Sequence, residues 1–425
     1  KSERKNGKMV KIKSGEFKKN LSKLELVEVD ACVGCGECLN WCPIQDATGD
    51  TTISPPAKIK QYRDFLHSDG DDLVSMIFGK KDIDVDDKKL EHFIEGVYTC
   101  TTCGNCGDVC ETGIHTQRLW WTLRKKIVDL GYSPPGAIPD LLKNTKQNKN
   151  IYNQPLDERY KIYMPSDIKV AEKAEVGFFD GCGLVYTAAP MPEGDVRIMD
   201  AVTDEFTMLD AKDAWCCGYP ITAAGMWEIQ EELTRNNVEK LVEKGVQRLI
   251  VSCPCCLTQI RATWPKYYKG KLPFEVDHII PFAVEAIEDG KLEFTKKANE
   301  TVTFHDPCQL ARGLKGPPVH DVVRTFISYL PGVKFVEMER NRGNTRCCGA
   351  GGAIRLFKGD TAMEMGKLLF RDAEATGAQT LLMNCPACYA MYVHRRIPPP
   401  TGIEWKAYKT KIKCNDLMQY ATRLL

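Results

Sequence analysis

Short, largely apolar runs that end beside a cysteine recur beyond residue 170 of the chain. Residues 245–252 and 377–384 form two such runs, which align at an offset of 132 residues and each lead into a Cys-x-x-Cys loop. Residues 175–179 and 301–304 form another aligned pair, and each of these leads to a single cysteine. Apolar runs of this length that end at turn residues predict buried β-strands. The pattern therefore predicts one α/β fold used twice.

The preceding part of the chain follows a helical pattern instead. Residues 59–66 and 88–94 place apolar and charged side chains at the spacing of amphipathic helices. A longer helix is predicted over residues 117–130, where a glycine and then a proline pair end it. Residues 140–170 are polar, show no periodicity and contain many turn formers, so they predict a linker.

Composition and charge narrow the class of protein. The 425 residues are 43% hydrophobic and 27% charged, with a formal net charge of +1, so a folded chain is expected and nothing favours nucleic acid as a partner. No apolar run is long enough for a membrane span, and no signal-peptide core follows the basic first 20 residues. We expect a soluble, cytoplasmic protein.

Twenty cysteines change this picture. A disulfide framework and metal ligation both use many cysteines, but tight groups spaced two and three residues apart are typical of metal sites in a cytosolic protein. Only Cys255 and Cys414 lie outside the ligand sets proposed below.

Eight cysteines form two runs with the C-x2-C-x2-C-x3-C spacing of bacterial ferredoxins. In such pairs of runs the fourth cysteine serves the other cluster. We therefore expect two [4Fe-4S] cubanes, one held by Cys32, Cys35, Cys38 and Cys110 and the other by Cys100, Cys103, Cys106 and Cys42. Glu111 replaces the proline that follows the first run, which removes no ligand. Two zinc sites of four cysteines each are the alternative.

Ten further cysteines repeat a five-cysteine pattern, with one set in each predicted α/β module. The first set is Cys182, Cys216, Cys217, Cys253 and Cys256, and the second is Cys308, Cys347, Cys348, Cys385 and Cys388. A cubane needs four thiolates, so five leave one spare or bind a larger cluster. Gly218 and Gly349 follow the adjacent pairs and permit a turn in which both thiols reach one cluster.

The predicted organisation is an α+β multidomain protein. A helical ferredoxin-type domain with its linker spans residues 1–165, and two pseudo-symmetric α/β modules span residues 166–300 and 301–425. Open α/β sheets bind ligands at the carboxyl ends of their strands, so we expect the active site at the junction of the modules.

The five-cysteine pattern resembles that of the CCG-domain iron-sulfur family, and the chain is similar over nearly its whole length to the D subunits of heterodisulfide reductases. These look like fusions of the C and B subunits of the cytosolic enzyme. The resemblance implies that each module binds a non-cubane [4Fe-4S] cluster through all five cysteines. It also implies that the coenzyme M–coenzyme B disulfide is reduced between the two clusters, with electrons relayed through the cubanes.

The resemblance also implies partners and leaves alternatives open. A membrane b-type cytochrome or another electron-donor subunit would supply the electrons, and a small-molecule disulfide would accept them. The same layout occurs in iron-sulfur subunits of glycolate and lactate dehydrogenases, which only conduct electrons. The K subunit of a membrane-bound sulfite-reduction complex, a thiol–disulfide redox complex, carries only one complete module and therefore fits less well. A further alternative is a thiol–disulfide enzyme that acts on the cysteines of a small protein.

Proton donors and substrate-binding cations have candidates close to the second set of cysteines. His305 is the candidate proton donor, with Asp306 and His394 as alternatives, although a histidine at a strand end is more often structural. Four basic residues are candidates for binding a substrate sulfonate or phosphate, and at most one is expected to do so: Arg312, Lys315, Arg346 and Arg355.

Overall fold

The computed structural model describes residues 9–12, 16–19, 21–68, 83–313, 319–393 and 410–425. Its N-terminal part is helical, with one antiparallel strand pair, β1 (Met9–Ile12) and β2 (Ile83–Asp86). The helices of this part are α1 (Lys23–Ala31), α2 (Pro43–Thr48), α3 (Pro55–Ser68), α4 (Asp87–Tyr98), α5 (Asn105–Asp108), α6 (Thr116–Asp129) and α7 (Pro139–Asn148). Short 3₁₀ helices cover Glu37–Leu39, Thr51–Ile53 and Arg159–Ile162.

The helices predicted from periodicity are confirmed. The predicted segments 59–66 and 88–94 lie inside α3 and α4, and the segment 117–130 matches α6. Packing of α3 on α4 is aromatic, since the rings of Tyr62 and Phe93 stack with centroids 5.6 Å apart.

The first module is built on a four-stranded parallel sheet with the strand order β4-β3-β5-β6. Its strands are β3 (Val176–Phe179), β4 (Thr207–Met208), β5 (Arg248–Val251) and β6 (Glu275–His278). Its helices are α8 (Cys182–Thr187), α9 (Pro190–Val202), α10 (Tyr219–Ala223), α11 (Gln230–Glu243), α12 (Pro254–Ala262), α13 (Trp264–Tyr267) and α14 (Ile279–Glu288), with a 3₁₀ turn at Ala211–Asp213.

The second module repeats this sheet in the order β8-β7-β9-β10, again all parallel. Its strands are β7 (Glu300–Phe304), β8 (Val333–Phe335), β9 (Thr380–Met383) and β10 (Lys413–Asp416). Its helices are α15 (Cys308–Ala311), α16 (His320–Ser328), α17 (Gly359–Ala375), α18 (Pro386–Val393) and α19 (Leu417–Thr422), with 3₁₀ turns at Arg342–Asn344 and Ile354–Leu356. The shared strand order confirms the predicted duplication and the α+β fold class.

The linker predicted over residues 140–170 is wrong in part, because α7 and a 3₁₀ helix occupy it. Polar side chains of α7 are buried and satisfied by main-chain carbonyls. Asn144 donates to the carbonyl of Ile151 at 3.0 Å, and the Thr145 hydroxyl donates to the carbonyl of Leu141 at 2.6 Å. The linker was predicted because the segment is polar. A polar side chain can nevertheless be buried in a helix where its hydrogen bonds are made inside the fold.

One arginine joins the three parts of the molecule. Arg124 lies on α6, and its side chain is fully buried. Its guanidinium donates to four main-chain carbonyls at 2.7–3.2 Å, those of Val97, Cys100, Ala223 and Gly352. Two of these belong to the helical domain, one to the first module and one to the second. The charge is therefore solvated by the interfaces that it joins.

Glycines allow the main chains to approach closely around this arginine. A Cβ atom added to Gly352 would lie 2.3 Å from the carbonyl oxygen of Cys100, and one on Gly351 would lie 2.5 Å from that of Thr101. A Cβ atom on Gly225 would lie 2.4 Å from the main chain of Arg124. A larger residue at any of these positions pushes a module away from the helical domain.

Replacing Arg124 with methionine leaves four buried carbonyls without their donor. We expect the free energy of unfolding to fall by on the order of 4 kcal/mol, because each unsatisfied buried acceptor is costly. Thermal unfolding of the anaerobic protein measures this loss. The matched control is Lys125→Met, which removes an ion pair with Asp129 and a cation–π contact with Trp227 and is expected to cost at most about 1 kcal/mol. Equal losses in the two variants would contradict the joining role of Arg124.

Candidate functional site

Both modules present cysteines at the carboxyl ends of neighbouring parallel strands. β3 leads to Cys182, the first residue of α8, and β5 leads to Cys253, the residue before α12. In the second module Cys308 begins α15 and Cys385 directly precedes α18. The strand-end position predicted for these cysteines is confirmed. This edge of an open parallel sheet is where such folds bind ligands.

A buried ion pair holds the first cysteine loop of each module. In the first module, Arg159 Nη2 lies 2.7 Å from Asp180 Oδ1, two residues before the first cysteine. In the second module, Arg324 Nη2 lies 2.7 Å from Asp306 Oδ2 at the equivalent place. Buried carboxylates need such partners. Asp306, an alternative proton donor in the prediction, is thus an ion-paired structural group.

The adjacent cysteine pairs lie in tight turns. Gly218 and Gly349 have φ values of 91° and 89°, in the left-handed region that favours glycine. Their amide groups donate to the Sγ atoms of Cys216 and Cys347, each at 3.4 Å. The turn predicted at each pair is confirmed, and it brings both thiols of the pair to one side.

The five thiols of the first module form one continuous chain of sulfur contacts, in the order Cys182, Cys216, Cys217, Cys256 and Cys253. The Sγ atoms of Cys182 and Cys216 are 3.5 Å apart. All five side chains are buried.

The second module arranges its thiols in the same order, Cys308, Cys347, Cys348, Cys388 and Cys385. The Sγ atoms of Cys348 and Cys388 are 3.1 Å apart. Hydrogen bonds from Cys255 and Cys388 lower the pKa of the Cys385 thiol to about 5. A lowered pKa favours the thiolate, the form that binds metals.

His305 lies beside the thiols of the second module only. Its ligand nitrogen and the sulfurs of Cys348 and Cys388 lie within 4.8 Å of one another, a group that can hold a metal ion. Its Nδ1 is 3.4 Å from the Thr345 hydroxyl. Phe179 takes the equivalent place in the first module. The two sites therefore have matching thiols but different neighbours.

The ferredoxin-type runs form two groups of thiols. Four cysteines line a cavity of about 90 Å³ together with Cys106, namely Cys32, Cys35, Cys38 and Cys110. The thiols of Cys42, Cys100, Cys103 and Cys106 influence one another electrostatically and form the second group. Gly36 and Gly104, each with a φ of 85°, make the loop turns. The grouping agrees with the predicted exchange of the fourth cysteine between runs, which stays a prediction as to ligands.

Thiol contacts connect these groups to the modules. Cys103 of the second ferredoxin-type run contacts Cys347 of the second module. Cys255 contacts both Cys253 in its own module and Cys385 in the other. A route of sulfur atoms therefore runs from the helical domain into the second module and from there into the first.

A cavity of about 160 Å³ lies between the two modules. Thiols from the first module reach it, including Cys182, Cys217 and Cys256, and Ala387 and Pro386 enter from the second. Most of its remaining lining is apolar or glycine. The junction of the modules is thus a mostly apolar cavity that is lined by thiols of the first module and, from the second, by residues next to its cysteines.

The predicted basic candidates have different surroundings. Arg312 donates to the carbonyls of Cys103 and Thr345 at 3.0 and 3.2 Å, and Arg346 pairs with Asp46 and Asp372, each at 2.7 Å. These two arginines are structural. Arg355 lines the inter-module cavity. Lys315 and His394, the other candidates, lie outside the described residues.

Apolar side chains face solvent next to the first ferredoxin-type run. Leu24, Val27 and Val33 are 52%, 62% and 77% exposed. Helix α1 instead buries two carboxylates, Glu25, which accepts from the Thr122 hydroxyl at 2.6 Å, and Glu28, which pairs with Arg118 at 2.7 Å. An amphipathic helix usually buries apolar side chains and exposes charged ones, whereas this helix buries Glu25 and Glu28 and exposes Leu24 and Val27. An exposed apolar face of this kind is typical of an interaction surface.

Some residues of the site had little or no signal in the sequence. Tyr152 lines the cavity but lies in the segment predicted as a linker. Arg159 and Arg324 lie about 20 residues from the aspartates that they pair with. The aspartate two residues before the first cysteine of each module is the signal in the sequence that could have indicated such a pair. Cys255 was placed outside the ligand sets, yet it bridges the two modules.

The residues fit iron-sulfur clusters. All twenty cysteines lie in the described residues, and none of them forms a disulfide there. Five thiols per module, all buried except that of the half-buried Cys308, exceed the four ligands of a tetrahedral zinc site. Main-chain N–H groups that point at the sulfurs, such as that of Thr102 toward Cys100 at 3.3 Å, are typical of cluster loops. Among the helices described above, none combines the length and apolar character needed to cross a bilayer.

Family comparisons agree with this arrangement. Residues 176–261 and 302–392 match the CCG family, described as Cysteine-rich domain. Residues 28–114 match the 4Fe-4S dicluster domain. The cofactors of the chain are therefore iron-sulfur clusters.

Whole-chain relatives extend the match. The D subunit of the dihydromethanophenazine:CoB–CoM heterodisulfide reductase of Methanosarcina barkeri is 36% identical, over 87% of this chain and 90% of the relative. That of Methanosarcina acetivorans is 37% identical with the same coverage. The B subunit of the fumarate reductase (CoM/CoB) of Methanothermobacter marburgensis is 26% identical, over 84% of this chain and 66% of the relative. The chain belongs to the family of heterodisulfide reductase D subunits, which are iron-sulfur oxidoreductase subunits.

Proposed function

We propose that the chain is the catalytic subunit of a heterodisulfide reductase that reduces the coenzyme M–coenzyme B disulfide to two thiols. The observation that carries the proposal is the pair of five-thiol groups, alike in order, which the contact of Cys255 with Cys385 joins at the junction of the modules. A disulfide bound at this junction would lie beside both groups. The name of the D-subunit relatives supplies the substrate.

Four clusters are assigned to the thiols. Two cubanes take the ferredoxin-type groups, and a non-cubane [4Fe-4S] cluster takes the five cysteines of each module. When bound, the clusters supply single electrons and iron as a Lewis acid for thiolate sulfur. We also propose domain limits near residues 165 and 300.

The reaction requires two electrons and two protons, since RSSR′ + 2e⁻ + 2H⁺ gives RSH and R′SH. One one-electron centre on each side of the disulfide would supply the two electrons. His305 is the candidate group to hold one of the two protons, because its imidazole lies beside Cys348 and Cys388. The apolar lining of the cavity keeps water away from the reacting sulfurs.

Electrons enter at the surface and move inward in this proposal. Cys35 is exposed in the first ferredoxin-type run, so the first cubane is the entry point. The contact between Cys103 and Cys347 then leads from the second cubane to the second module.

The donor is a partner protein that docks beside Cys35. The partner, a membrane b-type cytochrome or another donor subunit, covers the apolar face of Leu24, Val27 and Val33. Such a partner would hold the chain at the inner face of the cell membrane. The exposed charged residues of this region are mostly acidic, namely Asp30, Glu37, Asp108 and Glu111 against Lys23, so the docking face of the partner is expected to be basic.

A second candidate function is that of an electron conduit, in which the substrate is oxidised on another subunit. The EtfAB:quinone oxidoreductase of Syntrophomonas wolfei favours it, since that protein is 24% identical over 86% of this chain. Glycolate or lactate dehydrogenase subunits would work in the same way. A third candidate is a thiol–disulfide complex that acts on a protein. Reduction of the heterodisulfide by the purified chain distinguishes the reductase from both.

Replacing Cys388 with serine should abolish heterodisulfide reduction driven by a reduced viologen dye. The variant loses one ligand of the second-module cluster, so iron should fall from about 16 to about 12 atoms per chain. The ferredoxin-type signals in electron paramagnetic resonance (EPR) should remain. Cys414→Ser is the matched control, because Cys414 is a buried cysteine of β10 outside the ligand sets. Loss of the ferredoxin-type signals in the Cys388 variant would contradict the domain assignment.

The double variant Val27→Ser, Val33→Ser should slow reduction by the donor subunit, purified with the chain as a complex. Removal of the exposed apolar contacts weakens docking, so the KM for the donor should rise about tenfold. Reduction by a viologen dye, which needs no docking, should be unchanged. Val242→Ser is the control, since Val242 is an exposed apolar residue of the first module. A slower reaction with dye as well would show that the change reaches the clusters.

A further inference from the structure

Three fully buried polar side chains meet where the two modules are in contact. Asp195 lies on α9 of the first module, whereas Asn384 and Asp416 belong to the second, and all three are 0% exposed. The charges of Asp195 and Asp416 act on each other, and Asn384 adjoins Asp416. Oδ2 of each aspartate and both amide atoms of Asn384 have no partner at hydrogen-bond distance among the described residues. Such a concentration of unpaired buried polar atoms calls for an explanation.

Close packing of α9 on α19 brings the two carboxyl groups together. Gly194, the neighbour of Asp195, allows this approach, because a Cβ atom there would lie 2.5 Å from the amide nitrogen of Gln419. Asp416 ends β10 and caps α19, where its Oδ1 accepts from the same amide at 2.9 Å. One carboxyl group from each module therefore lies in a contact between main chains, away from solvent.

No counter-charge for Asp195 is found among the described residues around it. After burial, the groups that act on its pKa are Asp416, the Ser252 hydroxyl, Cys253 and Asp180, and none of them is a cation. The charge of Asp180 is already matched by Arg159, 2.7 Å away. This aspartate thus differs from the ion-paired aspartates that hold the first cysteine loop of each module.

The described surroundings of Asp416 supply no cation either. His278 occupies the equivalent strand end of the first module, next to Asn384. Its Nδ1 accepts from the amide of Ile280 at 3.3 Å, and its Nε2 lies 2.9 Å from the Ser252 carbonyl. This ring is therefore neutral. The other titratable side chains nearby are also neutral in their ordinary form, and burial raises their pKa: Tyr389 of α18 and Cys414 of β10.

Two buried carboxyl groups without a cation cannot both be ionised, so they share a proton. The amide at the start of α19 stabilises the carboxylate form of Asp416, whereas Oδ1 of Asp195 accepts only from the Ser252 hydroxyl, at 3.0 Å. Asp195 therefore keeps the shared proton. Burial, and after it the charge of Asp416, raises the pKa of Asp195 well above its usual range. Burial raises the pKa of Asp416 to about 7.

Each carboxyl group is connected to the Cys-x-x-Cys loop of one module. Asp195 accepts from Ser252, the residue directly before this loop in the first module. Asp416 adjoins Asn384, which stands at the equivalent place in the second module. Negative charge that is added to a cluster on either loop therefore acts on the pair through a poorly screened interior and favours its protonated form.

On these grounds we propose that Asp195 and Asp416 form a proton-uptake site between the modules. The pair holds one shared proton in the oxidised protein and binds a second proton when the module clusters are reduced. In each such step an electron from the donor enters a cluster, and a proton from solvent converts RCOO⁻ to RCOOH, so the net charge of the interior is unchanged. The proposal requires clusters in the modules but not the disulfide reaction, and it therefore goes beyond the proposed function.

The test is a redox titration of the anaerobically purified full-length protein, followed by EPR between about pH 6 and about pH 9. In the wild type, the midpoint potentials of the module clusters should fall as the pH rises, because their reduction is coupled to proton uptake. Asp195→Asn and Asp416→Asn, which keeps a helix cap, should each lose most of this dependence at unchanged iron content. Asp200→Asn is the matched control, since Asp200 is an exposed aspartate of the same helix.

Thermal unfolding gives a second readout that needs no electron transfer. A carboxyl group whose pKa is raised in the folded state contributes stability below the pKa of an unfolded aspartate, about 4. This contribution is lost as the pH rises through the folded value, about 7 for Asp416. The unfolding temperature of the wild type should therefore fall between about pH 5 and about pH 8, and that of the double variant Asp195→Asn, Asp416→Asn should fall less. Equal decreases would contradict the shared proton.

The outcomes separate this proposal from the reductase function. If the potentials of the module clusters depend on pH and both variants lose the dependence, the uptake site is supported even in a chain that does not reduce the heterodisulfide. The reductase function then fails alone. If the chain reduces the heterodisulfide but these potentials do not depend on pH, or keep their dependence in both variants, the uptake site fails alone. Absence of EPR signals from module clusters would overturn both.

Discussion

The buried guanidinium of Arg124 is the interaction on which the rest of the structure depends. A charge that is removed from water must be solvated by the protein, and here the four carbonyls that do so come from all three parts of the chain. If these parts separated, the guanidinium of Arg124 would therefore be exposed to solvent or left buried without its acceptors. Close main-chain contacts at Gly351 and Gly352 bring the second ferredoxin-type run against the second module. The same constraint closes the cavity between the modules.

Duplication produced two matching sets of ligands, and small differences around them make the two halves unlike. The thiol order, the strand order and the buried Asp–Arg anchors are the same in both modules. His305 replaces Phe179, and Arg355 replaces Ala224, so polar chemistry is concentrated in the second module. Cys255 replaces Ala387, and it extends the first module toward the second. Under the proposed function, a symmetric scaffold with two unlike halves would give the two sulfurs of an asymmetric disulfide different surroundings.

Helix α1 buries two carboxylates and exposes two apolar side chains, and one physical reason explains both. Glu25 and Glu28 are buried because Thr122 and Arg118 on α6 satisfy them. Leu24 and Val27 of the helix then face solvent, whereas Val29 is buried. An exposed apolar face with an acidic rim lowers the solubility of the free chain. A partner that covers the face removes this disadvantage. In the proposed function, electron entry and partner docking are thus joined at one end of the molecule.

Cysteine spacing and apolar periodicity by themselves determined the α+β organisation, the duplication, the helices α3, α4 and α6, and the grouping of eighteen cysteines. These are local properties, because two-residue spacers and period-two or period-3.6 patterns act over a few residues. Only the tertiary structure decided that α7 is a packed helix and that Asp306 is an ion-paired anchor. It alone showed that Arg312 is held by main-chain carbonyls and Arg346 by two carboxylates. Such assignments depend on contacts between residues far apart in sequence, and no local pattern records which distant partner satisfies a buried charge.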